Sequence, residues 1–172
     1  SSQNPRYFVH ADGRFFYPVG WNIAYPVDNP FGLQYFPYLP SQNTFQSFLN
    51  QLEDLAASGG NCTRIWLSSW YNGLQWNENI DTYGGLGLYN LKNAWITDTI
   101  LERCEALGLK VLLSTESHLS FYEDGGGWAE NPFSLKNGGM LRQPEDFWNT
   151  EAAAVLERAR LSYVVARWAD SP

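Results

Sequence analysis

The chain has 172 residues, a net charge of -7 and a pI near 4.7, so it lacks the basic surface that nucleic acids and anionic membranes require. No run of the sequence reaches the ~18 apolar residues of a transmembrane helix. We therefore expect neither nucleic acid nor membrane as a partner. A hydrophobic content of 44% with 17% charged residues is typical of a soluble globular domain, and we expect one domain spanning residues 1–172.

The amino-terminal segment predicts short strands. Residues 7–17 alternate around Ala11-Asp12-Gly13, and Asp-Gly between two β-rich runs favours a β-hairpin. A short strand at 17–22 follows and ends in Gly20-Trp21-Asn22. Residues 23–43 carry several prolines and aromatic residues, which indicates a loop.

The remainder of the chain alternates between helices and strands. Apolar residues from Phe45 to Ala56 recur at helical spacing, with Asn43 or Thr44 placed to cap the helix and Gly59-Gly60 placed to end it. Further elements are a strand at 61–67 that is apolar on both faces, a helix around Ile96–Leu107, a strand at 109–115, and a helix at 145–168 whose apolar side is Phe147, Leu161, Val165 and Trp168.

This order predicts an α/β fold with a parallel sheet. The turns before the strands are short, whereas the connections after them, 68–93 and 117–144, are long and rich in Gly, Asn and aromatic residues. Long loops at the carboxyl ends of parallel strands indicate a binding face there. The pattern corresponds to about three β/α units of a TIM (β/α)₈ barrel, which takes ~250 residues in full. We therefore expect a partial TIM barrel preceded by a hairpin.

Four polar residues lie at the predicted strand ends: Asn22, Arg64, Glu116 and His118. Arg64 interrupts an apolar strand, and a buried guanidinium needs a partner because it cannot be neutralised. We expect it on the inner face near the carboxyl edge, bonded to a carboxylate from a later strand or, without one, to water or Asn22. The alternative is that these residues are solvated or form a structural ion pair.

The aromatic content is 16%, with 8 Trp and 10 Tyr. Trp70, Trp76 and Trp128 lie in Gly/Asn-rich segments where no core is expected. Flat rings beside amides and carboxylates suit a sugar, which offers an apolar face and hydroxyl groups. The alternative is that the rings only cover the ends of the sheet.

Other motifs are absent from the sequence. It has no phosphate-binding glycine motif, no metal-spaced Cys/His set and no Gly-x-Ser-x-Gly elbow, so we predict no cofactor and no metal. Cys62 and Cys104 are predicted on opposite faces of the sheet, which favours two buried thiols over a disulfide. Asn61-Cys62-Thr63 matches a glycosylation sequon but lies at the start of a buried strand.

Four segments in order resemble the amino-terminal half of clan A glycoside hydrolases, close to the cellulases and β-mannanases of glycoside hydrolase family 5. They read GWN, GGNCTRIWL, LGLKVLLSTESH and RLSYVVARWADSP. The resemblance implies retaining hydrolysis of a β-1,4-linked glucan or mannan. It assigns Arg64 as the arginine that hydrogen-bonds the nucleophile, and His118 as a histidine of the sugar subsite, although Thr115-Glu116-Ser117 departs from the usual aspartate-containing run.

The resemblance also places Trp21 and Asn22 near the substrate, and we add Trp66, Glu116 and the loop tryptophans to the predicted sugar site. Its two catalytic glutamates belong to later strands, beyond Pro172. We therefore expect the chain by itself to be inactive and to need the remainder of the barrel, from the same gene product or from a second chain. Alternatives are a non-catalytic carbohydrate-binding half-barrel and a half-barrel completed by another chain.

The chain begins Ser1-Ser2-Gln3-Asn4-Pro5, without Met or a signal peptide. This start fits a processed secreted protein or a trimmed segment, and we expect an extracellular location.

Overall fold

The computed structural model describes residues 6–23, 44–69, 71–79, 83–123 and 127–171. Residues 24–43 of the predicted 23–43 loop, which include the candidate cap Asn43, lie outside these residues, as does the predicted sugar-binding residue Trp70. Gly125 and Gly126 lie outside them as well.

The hairpin is confirmed. Strand β1 (Phe8–Val9) pairs antiparallel with β2 (Phe15–Phe16), and Phe8 lies opposite Phe16. The turn between them is closed by a 2.8 Å bond from His10 N to Arg14 O. Gly13 in this turn has a φ of 86°, a left-handed conformation that glycine adopts without steric cost.

The parallel sheet is confirmed. Strands β3 (Gly20–Ile23), β4 (Cys62–Trp66) and β5 (Lys110–Ser114) form a three-stranded parallel sheet in the order β3-β4-β5. The register places Asn22 beside Arg64, and Arg64 beside Leu112. Because paired residues of a parallel sheet point to the same side, these three side chains share one face.

In the described part of the chain, each parallel strand is followed by an α-helix: α1 (Thr44–Ala57) after β3, α2 (Leu91–Ala106) after β4 and α3 (Glu151–Trp168) after β5. Helix α2 begins two residues before the predicted end of the 68–93 loop, because Asn90 caps it by accepting a 3.0 Å bond from the Asn93 backbone N–H. No helix within the described ranges is long and apolar enough to cross a membrane.

The helices cover one face of the sheet. Ile65 packs there with α1 and α2 in a core that also contains Ile23, Phe48, Leu52, Leu55, Ile100, Cys104 and Leu109. A second core joins α2 to α3 through Leu101, Val164 and Trp168. On the other face, Arg64 is exposed and Leu112 is 65% exposed. The prediction that the 61–67 strand is covered on both faces is therefore wrong for the described part of the chain.

The predicted helix at 145–168 is wrong in its start and in half of its buried side, since Phe147 and Trp168 are buried as predicted but Leu161 and Val165 are not. Residues Pro144–Trp148 form a 3₁₀ helix, and α3 begins only at Glu151. Leu161 and Val165 are exposed, whereas the buried side of α3 is Ala153, Arg160, Val164 and Trp168. The apolar pattern misidentified this side because a polar residue, Arg160, lies at its centre.

Helix α3 is fastened to α2 by a charged contact. Arg167 donates to both oxygens of Asp98, at 2.9 and 2.6 Å, and Trp168 Nε1 donates to the same carboxylate at 2.8 Å. The Arg167 bond holds the pKa of Asp98 below its ordinary value. This contact fixes the carboxyl end of α3 against α2.

The side chain of Asn61 bonds backbone groups of another segment, and both cysteines are free thiols. The Asn61 side chain accepts from Val19 N and donates to Tyr17 O, both at 2.8 Å, which ties the segment before β3 to the start of β4. Both thiols are free, as predicted, but Cys62 is only half-buried because it lies on the uncovered face with Arg64.

The assignment of faces can be tested with two truncations on neighbouring strands. Ile65→Ala is expected to lower the free energy of unfolding by ~2–5 kcal/mol, because Ile65 is 1% exposed within the helix-covered core. Leu112→Ala, on the opposite face, is expected to change it by less than about 0.5 kcal/mol. Urea denaturation of both variants measures the difference, and equal losses would contradict the assignment.

Candidate functional site

Side chains from β3, from β4 and from the loop after β5 meet at the carboxyl edge of the sheet. We call this group the rim cluster, and its members are Asn22, Arg64, Trp66, His118 and Tyr122. The carboxyl edge of a parallel sheet is where binding residues collect in folds of this class.

The centre of the rim cluster is the side-chain oxygen of Asn22. It accepts a 2.9 Å bond from Arg64 Nε and a 2.9 Å bond from Trp66 Nε1. The Arg64 guanidinium also lies over the Trp66 ring, 5.0 Å from its centroid, in a cation–π contact. The expectation that Arg64 is buried is wrong, whereas its predicted alternative partner, Asn22, is confirmed. Because Arg64 is exposed, it needs no buried counter-charge.

His118 reaches the cluster from the loop after β5. It begins a short 3₁₀ helix, His118–Phe121, whose first turn is capped by the Ser117 hydroxyl at 3.3 Å from Leu119 N. The imidazole lies 5.8 Å from the Trp66 ring and 5.6 Å from the Tyr122 ring, edge-on to both. The loop after one strand therefore positions a titratable group against the indole of its neighbour.

A shallow groove of about 370 Å³ begins at Tyr122. Its lining combines aromatic and acidic side chains, namely Phe121, Tyr122, Glu123, Pro144 and Glu145. Flat apolar rings beside carboxylate acceptors are a surface that polyhydroxylated ligands can use. Sequence reasoning missed this surface because its two sides are more than twenty residues apart in the chain.

Glu116 does not join the rim cluster. It pairs with Arg160 of α3, whose side chain is only 4% exposed. Arg160 also donates two hydrogen bonds to the Glu157 carboxylate, from Nε at 2.9 Å and from Nη2 at 2.6 Å. Its Nη1 donates to Thr115 O at 2.8 Å. We call these residues the arginine triad: Glu116, Arg160 and Glu157. Sequence reasoning missed Arg160 and Glu157, and the only local signal was their i,i+3 spacing in a predicted helix.

Burial, with a smaller contribution from the Glu157 carboxylate, raises the pKa of Glu116 to about 7 against the opposing attraction of Arg160. Water still reaches the exposed third of this side chain, 34%, and screens part of its charge. A cavity of about 30 Å³ lies between Glu116, Arg160 and the loop residues Ser69, Ser120 and Asn131. It has room for a water molecule but not for a sugar.

Two predicted sugar-binding tryptophans are buried. Trp76 is 6% exposed, and Trp128 is 5% exposed in a core with Phe133, Leu141 and Phe147. The premise that no core forms in these loops is therefore wrong, because the loops bury their rings against each other and against α3. A ring buried on both sides offers no face to a ligand, and we leave both residues out of the proposed site.

Trp21 is also separated from the rim cluster. Alternation along β3 places it on the opposite face from Asn22, in register with the buried Thr63. Among the predicted site residues that the structure describes, it brings together Asn22, Arg64, Trp66 and His118. Within the described ranges, no group of three or more His, Cys, Asp or Glu side chains is arranged to hold a metal ion.

The chain matches no protein-family model, and neither curated proteins nor solved structures give a significant match.

The raised pKa of Glu116 predicts a pH-dependent stability. The folded chain binds the Glu116 proton more tightly than the unfolded chain, whose ordinary value is 4.5. This contribution to stability is fully present below pH ~4.5, declines as the pH rises, and is lost above about 7. Relative to Glu116→Gln, the wild-type melting temperature is therefore expected to fall between pH 4.5 and 7 and then to level off.

Glu130→Gln is the control, because Glu130 is exposed and its carboxylate is solvated in both states. Thermal unfolding followed by circular dichroism measures all three proteins from pH 4 to 8.5. A difference in melting temperature between wild type and Glu116→Gln that does not change with pH would rule out the raised pKa of Glu116.

Proposed function

We propose that this chain is part of a glycoside hydrolase acting on a β-1,4-linked glucan or mannan, and that its rim cluster binds the sugar chain. The sheet is proposed to be the first portion of a TIM barrel. Support comes from the parallel order β3-β4-β5 and from the position of the cluster at the carboxyl edge of that sheet.

The chemistry of the rim cluster suits a sugar ring. Trp66 and Tyr122 supply aromatic surface for the apolar face of a pyranose. Asn22, Arg64 and His118 supply donors and acceptors for its hydroxyl groups. The adjoining groove adds two carboxylates, Glu123 and Glu145, as further acceptors. No basic surface is needed to bind such a neutral ligand.

One observation carries the proposal: Asn22 joins Arg64 and Trp66 through a single oxygen. A guanidinium, an indole and an amide from neighbouring strands are thereby held together in one geometry before any ligand arrives. Within the described ranges Arg64 is exposed and no carboxylate pairs with it, so its terminal nitrogens are not engaged by an acidic side chain. They are available to a sugar hydroxyl or to a carboxylate from another segment.

Hydrolysis itself is proposed for the whole enzyme and not for these residues alone. Retaining cleavage takes two carboxyl groups ~5–5.5 Å apart, one as acid and one as nucleophile. The resemblance assigns both to later strands, which leaves Arg64 and His118 with supporting roles in positioning. The arginine triad is no substitute for this pair, because Arg160 occupies the space between its carboxylates and the adjoining cavity excludes a sugar.

Binding can be measured by tryptophan fluorescence during titration with cellohexaose and mannohexaose. We expect one of them to quench the emission, and we expect Trp66→Phe to remove most of that change because the rim indole is lost. The matched control is Trp95→Phe, since Trp95 is exposed on α2 and packs on Phe45, on the helix-covered side of the sheet and away from the rim. No response to either oligosaccharide at millimolar concentration would contradict the proposal.

Arg64→Lys provides a second test of the same site. Lysine keeps the charge but has neither the Nε donor that bonds Asn22 nor a planar group to lie over Trp66. We expect affinity to fall about tenfold or more, in line with the ~1.5–3 kcal/mol of a charge-assisted bond. Isothermal titration calorimetry measures it, and unchanged affinity would remove Arg64 from the proposed site.

The alternatives differ in activity. Reducing-sugar release by the full product of the gene would favour an enzyme, whereas binding without release would favour a carbohydrate-binding module. Binding that appears only after a second chain is added would favour a barrel shared between chains.

A further inference from the structure

We propose that Arg160 is the positioning residue of the rim cluster, and that protonation of Glu116 regulates how firmly the cluster is held. The inference deepens the proposed function, because it concerns regulation of the same site. It depends on contacts that join α3 to the carboxyl end of β5.

The first step is the fixed position of Arg160. Its guanidinium is buried, and its donors are taken by Glu157, by Glu116 and by the Thr115 carbonyl. A fork of this kind fixes direction as well as distance, because the guanidinium is planar. The backbone directly after β5 is thereby anchored to α3.

The second step is the link between the anchored backbone after β5 and the rim cluster. Ser117 follows Glu116, accepts from Leu119 N through its hydroxyl, and accepts from Ser120 N through its carbonyl at 3.0 Å. These bonds form the short helix that begins at His118. The His118 ring then lies 5.8 Å from the Trp66 ring. A shift of Thr115 or Glu116 therefore displaces His118 from the cluster.

The third step is the charge balance. One guanidinium faces two carboxylates, so the arginine triad carries a net negative charge when both are ionised. Protonation of Glu116 relieves its repulsion with Glu157. The other titratable group near the triad is Tyr89, which interacts with Arg160 and Glu157, and the remaining cavity lining is uncharged.

These steps set the direction of the effect. Since the pKa of Glu116 is raised to about 7, its ionised form is less stable in the anchored position than in water. Above this pH, ionisation favours release of Glu116 towards solvent, and the His118 segment loosens with it. Proton binding and an ordered rim therefore favour each other.

The test uses the 172-residue chain without sugar. The indole N–H of Trp66, assigned by comparison with Trp66→Phe, is followed in ¹H–¹⁵N spectra from pH 5 to 8.5. We expect its resonance to move with a midpoint near 7, away from its position in the ordered rim. Glu116→Gln is expected to abolish this transition, although the variant keeps both His118 and Arg160.

Glu157→Gln supplies a directional control. Without the Glu157 carboxylate, repulsion on Glu116 falls and Arg160 is freer to pair with it, so the midpoint is expected to move to lower pH. Arg160→Lys is expected to move the Trp66 resonance at pH 6 towards its position in His118→Ala. A transition that survives unchanged in Glu116→Gln would overturn the proposal, because Glu116 would then not be its source.

A second arm separates this inference from the proposed function. Oligosaccharide affinity is measured at pH 6 and at pH 8. We expect the affinity to fall severalfold between these values in wild type but not in Glu116→Gln. Because one proton is released, the loss of affinity cannot exceed about tenfold per pH unit. An oligosaccharide affinity that is independent of pH in wild type would overturn the proposed regulation by Glu116. It would not contradict the proposed sugar-binding function. A Glu116-dependent shift of the Trp66 resonance without any sugar binding would contradict the proposed sugar-binding function. It would still support the link between Glu116 protonation and order in the rim cluster.

Discussion

The burial of one guanidinium organises the carboxyl end of this sheet. Arg160 cannot lose its charge, so its place inside the fold requires anionic and carbonyl partners on every side that water does not reach. Glu157 supplies the anionic partner, and Glu116 and the Thr115 carbonyl supply further oxygen acceptors. Because these partners belong to two distant parts of the chain, satisfying one charge also joins α3 to β5 and sets where the following loop begins.

The sequence pointed to a buried arginine but indicated the wrong one. Arg64 lies in an apolar strand, and local reasoning therefore expected it to be buried, whereas it lies on the uncovered face. Arg160 lies in a helix whose apolar periodicity is weak, and local reasoning did not place it on the buried side. Periodicity reports which residues could face a core, but tertiary contacts decide which face is covered. The strands themselves, the parallel order and α1 were predictable because their patterns and terminal glycines agree.

The candidate site was likewise predictable where it depends on the order of the strands and not where it depends on how a loop folds. Asn22, Arg64 and His118 could be predicted because residues that end neighbouring parallel strands share an edge whatever the loops do. Tyr122 and Glu157 could not, since their positions depend on how a long loop folds. Trp76 and Trp128 were misassigned for a related reason: a loop rich in glycine and asparagine can still form a core when it is long enough to enclose its own aromatic rings.

The two arginines have complementary environments. Arg160 is enclosed by carboxylates and can serve only to position its neighbours, because each of its three nitrogens is engaged by Glu157, Glu116 or the Thr115 carbonyl and the adjoining cavity holds no more than a water molecule. Arg64 is held through one nitrogen by a neutral amide and remains exposed in a chain that carries 18 acidic and 11 basic residues. A carboxylate in place of Asn22 would neutralise it. A neutral acceptor fixes the guanidinium and preserves its charge for whatever binds at the rim.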